Sequence, residues 1–86
     1  MINKSLNYDT ELMIITMEEC GELIEACSKA IRCENYKDKR LTEEVGDVLF
    51  LIDLIIERGL VTSEEISNRM EIKKEKLKKW SNLINE

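Results

Sequence analysis

Glu18-Glu19-Cys20-Gly21-Glu22 and Glu43-Glu44-Val45-Gly46-Asp47 each set two carboxylates three residues apart, Glu19 with Glu22 and Glu44 with Asp47. On a helix that spacing puts both acids of a pair on one face, about 60° apart around the axis. Both pairs interrupt apolar stripes: Leu12, Ile15, Glu19, Glu22, Ala26 in the first segment and Glu44, Asp47, Leu51, Leu54 in the second. Carboxylates carried into a core repel one another and lose hydration, at roughly several kcal/mol each unless a cation joins them. A divalent metal is the economical counter-charge. Four oxygen donors suit magnesium, or manganese in its place, better than zinc or copper, which favour nitrogen and sulfur. Di-iron bundles also use paired helical acids but require a Glu-x-x-His element, and the chain has no histidine. The competing reading is electrostatic: solvated acids, or acids paired with Lys29, Arg40 and Arg58.

The elements that must position these acids are helices. Asp9 or Thr10 can cap a first helix. It extends to about Arg32 with only Gly21 as a weak point, costing roughly 1 kcal/mol relative to alanine unless it leaves room for a close neighbour. Beside its acidic stripe runs a purely apolar one, Met13, Met17, Cys20, Ile24, Cys27, Ile31. Cys20 and Cys27 lie on it, which points to burial. Residues 33–39 lack periodicity and read as a loop. A second helix spans about Lys39 to Arg58, again with a second stripe (Leu41, Val45, Val48, Ile52, Ile55) and with Phe50 and Ile56 on further faces. Gly59 stands where a left-handed helix end is expected. Thr62-Ser63-Glu64-Glu65 is a capping box, with Val61 and Ile66 as its hydrophobic staple. The third helix runs to about Leu83 with an inward stripe of Ile66, Met70, Lys73, Leu77, Trp80 and Ile84.

The fold class is therefore all-α, one domain over residues 1–86 with about three helices. Three helices cannot cover this much apolar surface, so the stripes of the first two are expected to meet a second copy. The result is a homo-oligomer, dimer or tetramer, with a four-helix-type core across subunits. Composition agrees, with 43% hydrophobic residues, only 5% aromatic and no proline. A net charge of −5 argues against nucleic acid as a partner. Residues 1–62 hold 13 acids against 7 bases, whereas residues 63–86 hold 6 bases against 5 acids, an arrangement suited to cations at one end and an anion at the other. The longest apolar run, Val48 to Ile56, is nine residues broken by Asp53, far below the roughly 20 that span a bilayer, so no membrane role is expected. Three cysteines without metal or redox spacing, and no leader-like segment, read as reduced thiols of a cytoplasmic protein.

Glu18-Glu19-x-x-Glu22 followed by Glu44-x-x-Asp47 resembles the EExxE…ExxD signature of the MazG-like, all-α nucleotide pyrophosphohydrolases, and the flanking residues through Leu23 and Leu49 match the family's wording. The resemblance covers about residues 10–80. It implies a magnesium-dependent hydrolase that cleaves a nucleoside triphosphate between the α and β phosphates, releasing a monophosphate and pyrophosphate. It implies Glu19, Glu22, Glu44 and Asp47 as metal ligands. Glu18 and Glu43, about 100° around their helices from the neighbouring ligands, become candidates for orienting water. Lys73 and Lys76, with Lys29 on the first helix, become candidates for holding phosphates. In the family an asparagine often stands where this chain has Lys73. The alternative is a non-catalytic helical module for oligomerisation or partner binding.

Overall fold

A computed structural model describes residues 7–85. Three helices account for most of them: α1 (Tyr8–Cys33), α2 (Lys39–Glu57) and α3 (Ser63–Trp80). Among the described residues there is no strand, so the all-α expectation holds. The leading residues 1–6 lie outside the described part.

The helix ends follow from local hydrogen bonding. Asn7, two residues before Asp9 and three before Thr10, the expected caps, starts α1, its side chain accepting from the Thr10 N–H at 2.8 Å. At the other end Glu34 takes a left-handed conformation (φ 51°), and its N–H reaches back to the carbonyls of Ala30 and Ile31. A glutamate there pays a steric cost that glycine would avoid. Asp38 accepts from the Arg40 N–H at 2.9 Å and opens α2. Gly59 (φ 76°) follows α2 as expected. The capping box is complete: Thr62 Oγ1 accepts from the Glu65 N–H at 3.1 Å, and Glu65 Oε1 accepts from the Thr62 N–H at 2.9 Å. α3 stops at Trp80, three residues short of the expected end, with Ser81 Oγ donating to the Leu77 carbonyl at 2.8 Å.

The chain divides into two units, Met1–Ile55 and Ile56–Glu86. In the first, α1 and α2 pair antiparallel: Arg40 reaches Glu22, Glu44 and Asp47 meet Glu19, and Leu51 and Leu54 line a hollow with Leu12 and Tyr8. Among the described residues its buried core is small, namely Leu12, Ala26, Ala30 and Leu51. Leu12, Ala26 and Leu51 belong to the two stripes that carry the acids, and Ala30 lies one turn beyond Ala26. The fully apolar stripe of α1 faces away, with Met17 at 73% and Ile24 at 70% exposure. Cys20 and Cys27 lie on that face and are exposed in the single chain, as is Cys33, so the expected burial of the thiols is not met within it. Space around Gly21 is open, so no close neighbour among the described residues requires a glycine there. In the second unit, Met70 and Trp80 of the expected inward stripe are likewise exposed, at 66% and 65%.

Candidate metal centre

One turn of α1 supplies Glu19, and one turn of α2 supplies Glu44 and Asp47. Antiparallel pairing brings one carboxylate oxygen from each to within 4.8 Å of the other two. The acids reach this position because each stands on the stripe that packs the hairpin, where Ile15 and Leu51 continue the same contact. Glu19 and Glu44 are half-buried and Asp47 is exposed.

Glu44 is the centre's most constrained member. Its Oε2 is buried, and no hydrogen bond reaches it among the described residues. Burial pushes the Glu44 carboxyl above its ordinary value, and the charges of Glu22, Asp47 and Glu19 push it further, against the opposing pull of Arg40. A buried, unsatisfied carboxylate oxygen beside two further acids is a disfavoured arrangement for the chain alone. It fits a hard divalent cation, because the donors are all oxygen and their mutual repulsion becomes shared attraction once a positive ion joins them.

Glu22, the fourth expected ligand, is not in this group. Its Oε2 accepts a hydrogen bond from Arg40 Nη2 at 3.3 Å, and Glu25 Oε2 lies 3.7 Å from the same nitrogen. One acid of the four is thus paired with Arg40, as the electrostatic reading expects, and three are not. The sequence offers Arg40 as one of three basic residues that could pair with the acids; only the antiparallel pairing sets it beside them. In the sequence Phe50 is likewise only an extra apolar face. It lines an open cleft of about 290 Å³ with Ile15, Glu19, Asp47 and Leu51, placing an exposed ring at the edge of the centre. No sequence signal separates this phenylalanine from a packing residue.

Glu18 and Glu43 are exposed and outside the three-acid group, each directly before one of its members. Lys29 is exposed on α1. In the second unit Lys73 and Lys76 are exposed on α3, and the Lys73 ammonium sits 5.2 Å from the centroid of the Trp80 ring, within cation–π range. Lys73 and Lys74 also border a shallow hollow with Met70 and Leu77.

The family described as the MazG nucleotide pyrophosphohydrolase domain matches the chain over residues 8–80, which include all three helices and both acid pairs. Among curated proteins nothing matches the chain, and among solved structures nothing matches it either.

Proposed function

The chain belongs to the MazG nucleotide pyrophosphohydrolase family, and on that premise we propose that it hydrolyses a nucleoside triphosphate between the α and β phosphates, releasing a nucleoside monophosphate and pyrophosphate. The observation that carries this reading is the buried, unpartnered Glu44 oxygen within a cluster completed by Glu19 and Asp47. Magnesium, or manganese in its place, would be held by these three acids together with Glu22. When bound it supplies charge neutralisation at the phosphate oxygens and a more acidic water.

The chain's own residues do the remainder. Glu18 and Glu43, exposed beside the ligands, orient the attacking water. Lys29, Lys73 and Lys76 hold the triphosphate by charge. The exposed apolar stripe of α1 supports a second copy of the chain as its cover, completing a four-helix core in a dimer or tetramer. Sedimentation at micromolar concentration should show the oligomer, and Ile24→Glu should dissociate it by placing a charge in the seam. The three free thiols suit a reducing cytoplasm, and among the described residues no helix is long and apolar enough to cross a membrane.

Product analysis is the direct test. The chain should be incubated with each ribo- and deoxyribonucleoside triphosphate and magnesium, expecting monophosphate plus pyrophosphate. Diphosphate plus orthophosphate would place the cut elsewhere. No turnover of any of them, together with no response of stability to magnesium, would favour the non-catalytic module.

A further inference from the structure

Arg40 occupies a position that its own helix disfavours. It is the second residue of α2, in a first turn that contains no acid. The N-terminal end of a helix carries partial positive charge and repels cations. Its side chain nevertheless extends to α1, where Nη2 lies 3.3 Å from Glu22 and 3.7 Å from Glu25. These two acids are themselves three residues apart and share a face. The guanidinium therefore has two partners side by side, one of them proposed above as a metal ligand and one not.

We propose that Arg40 is a built-in counter-cation that competes with the metal for Glu22, holding that carboxylate in the metal-free chain and passing to Glu25 when a divalent ion takes it. The proposal rests on the metal centre described above. Three observations point to it. The acids Glu19, Glu44 and Asp47 already form a cluster without Glu22, and Glu44 Oε2 in it is buried with no hydrogen bond among the described residues. The Arg40–Glu22 pair is half exposed, with side-chain exposures of 35% and 51%, so parting the two leaves no dry, uncompensated charge. Glu25 already stands within ion-pairing distance, so the guanidinium changes partner without changing place. The apparent metal affinity is then lower than the intrinsic one by the fraction of molecules in which Glu22 is released. Arg40 is a positioning residue, acting on the metal through Glu22.

Manganese binding followed by electron paramagnetic resonance, without nucleotide and with folding checked by circular dichroism, tests this. Arg40→Gln should bind manganese about threefold to fivefold more tightly than the wild type, the range expected for release from an exposed ion pair. Lys39→Gln, the same charge change one residue away, should differ from the wild type by less than about twofold at physiological salt, where distant charges are screened. Glu25→Gln should weaken binding about twofold to threefold while Arg40 is present and have no effect in the Arg40→Gln background, a coupling that a diffuse field would not produce. Arg40→Lys, which keeps the charge but loses the planar fork, should fall between wild type and Arg40→Gln. Weaker or unchanged binding by Arg40→Gln, or equal tightening by Lys39→Gln, would overturn the competition while leaving the metal centre standing. A wild-type chain that binds no manganese would overturn the centre and the competition together.

Discussion

The pair Glu19/Glu22 on α1 and the pair Glu44/Asp47 on α2 have the same spacing, the same charge and a stripe of the same kind around them. Both acids of the α2 pair enter the three-carboxylate cluster, whereas α1 contributes only Glu19 and turns Glu22 toward Arg40. The difference arises from what lies opposite. Across from Glu19 are the two acids of α2, one helical turn apart. Opposite Glu22 is the first turn of α2, which presents a guanidinium. Equal spacing on one helix therefore does not ensure equal surroundings; antiparallel pairing decides which charged groups each acid faces.

The largest test of this asymmetry is to remove the clustered acids. Glu44→Gln, Asp47→Asn and Glu19→Gln should each lower kcat/KM at saturating magnesium by more than about a hundredfold, since even outer-shell partners of a metal are worth roughly ten- to a hundredfold. Steady-state kinetics with a substrate found by the product screen would show it, and near-wild-type activity in any of the three would break the cluster's assignment. Glu22→Gln should cost about ten- to a hundredfold in the same assay. A loss below about threefold would mean that Glu22 stays with Arg40 throughout and that the two motifs differ in function as well as in geometry.

Acid titration sharpens the comparison from the α2 side. Glu44 has a raised pKa in the folded chain, so the folded state keeps its proton at pH values where the unfolded chain has lost it. Its contribution to stability is therefore fully present below the ordinary value of 4.5 and is lost as pH rises through the higher folded-state value. Melting temperature of the metal-free protein, measured against pH, should carry this component, and Glu44→Gln should abolish it and raise the metal-free melting temperature near neutral pH. Saturating magnesium should reverse the sign for the wild type, because the metal requires the ionised carboxylate. A Glu44→Gln variant with an unchanged pH profile would show that the acids on α2 are no more burdened than those on α1.

The smallest expected effects lie on α3, where lysines of equal charge differ in their surroundings. Lys73→Ala should raise KM about two- to fivefold for every nucleotide while leaving the magnesium midpoint unchanged. It should also cost roughly 0.5 kcal/mol of stability through its lost contact with Trp80. Lys79→Ala should change KM by less than about twofold, the scale of an exposed pair. Equal effects at the two positions would reduce α3 to a diffuse positive field, separate from the contest between acids and Arg40.

Much of this protein is set by local chemistry that the sequence carries openly. The Thr62 capping box, the left-handed Gly59 and the period of the stripes depend on neighbours within four residues, and they produce the helices where expected. The first cap falls at Asn7 and not at Asp9 or Thr10, because several adjacent polar residues can each accept the same free N–H groups. The two acid pairs were also legible, since a carboxylate on an apolar stripe conflicts with burial whatever the fold. What local chemistry could not decide is which stripe turns inward. Both faces of α1 are sufficiently apolar, and only the pairing with α2 selects the acidic one and leaves Met17, Ile24 and the cysteines outside. The separation of Glu22 from its three companions has the same origin. It depends on the register that sets Arg40 against Glu22, 18 residues away along the chain, and no spacing within either motif encodes that register.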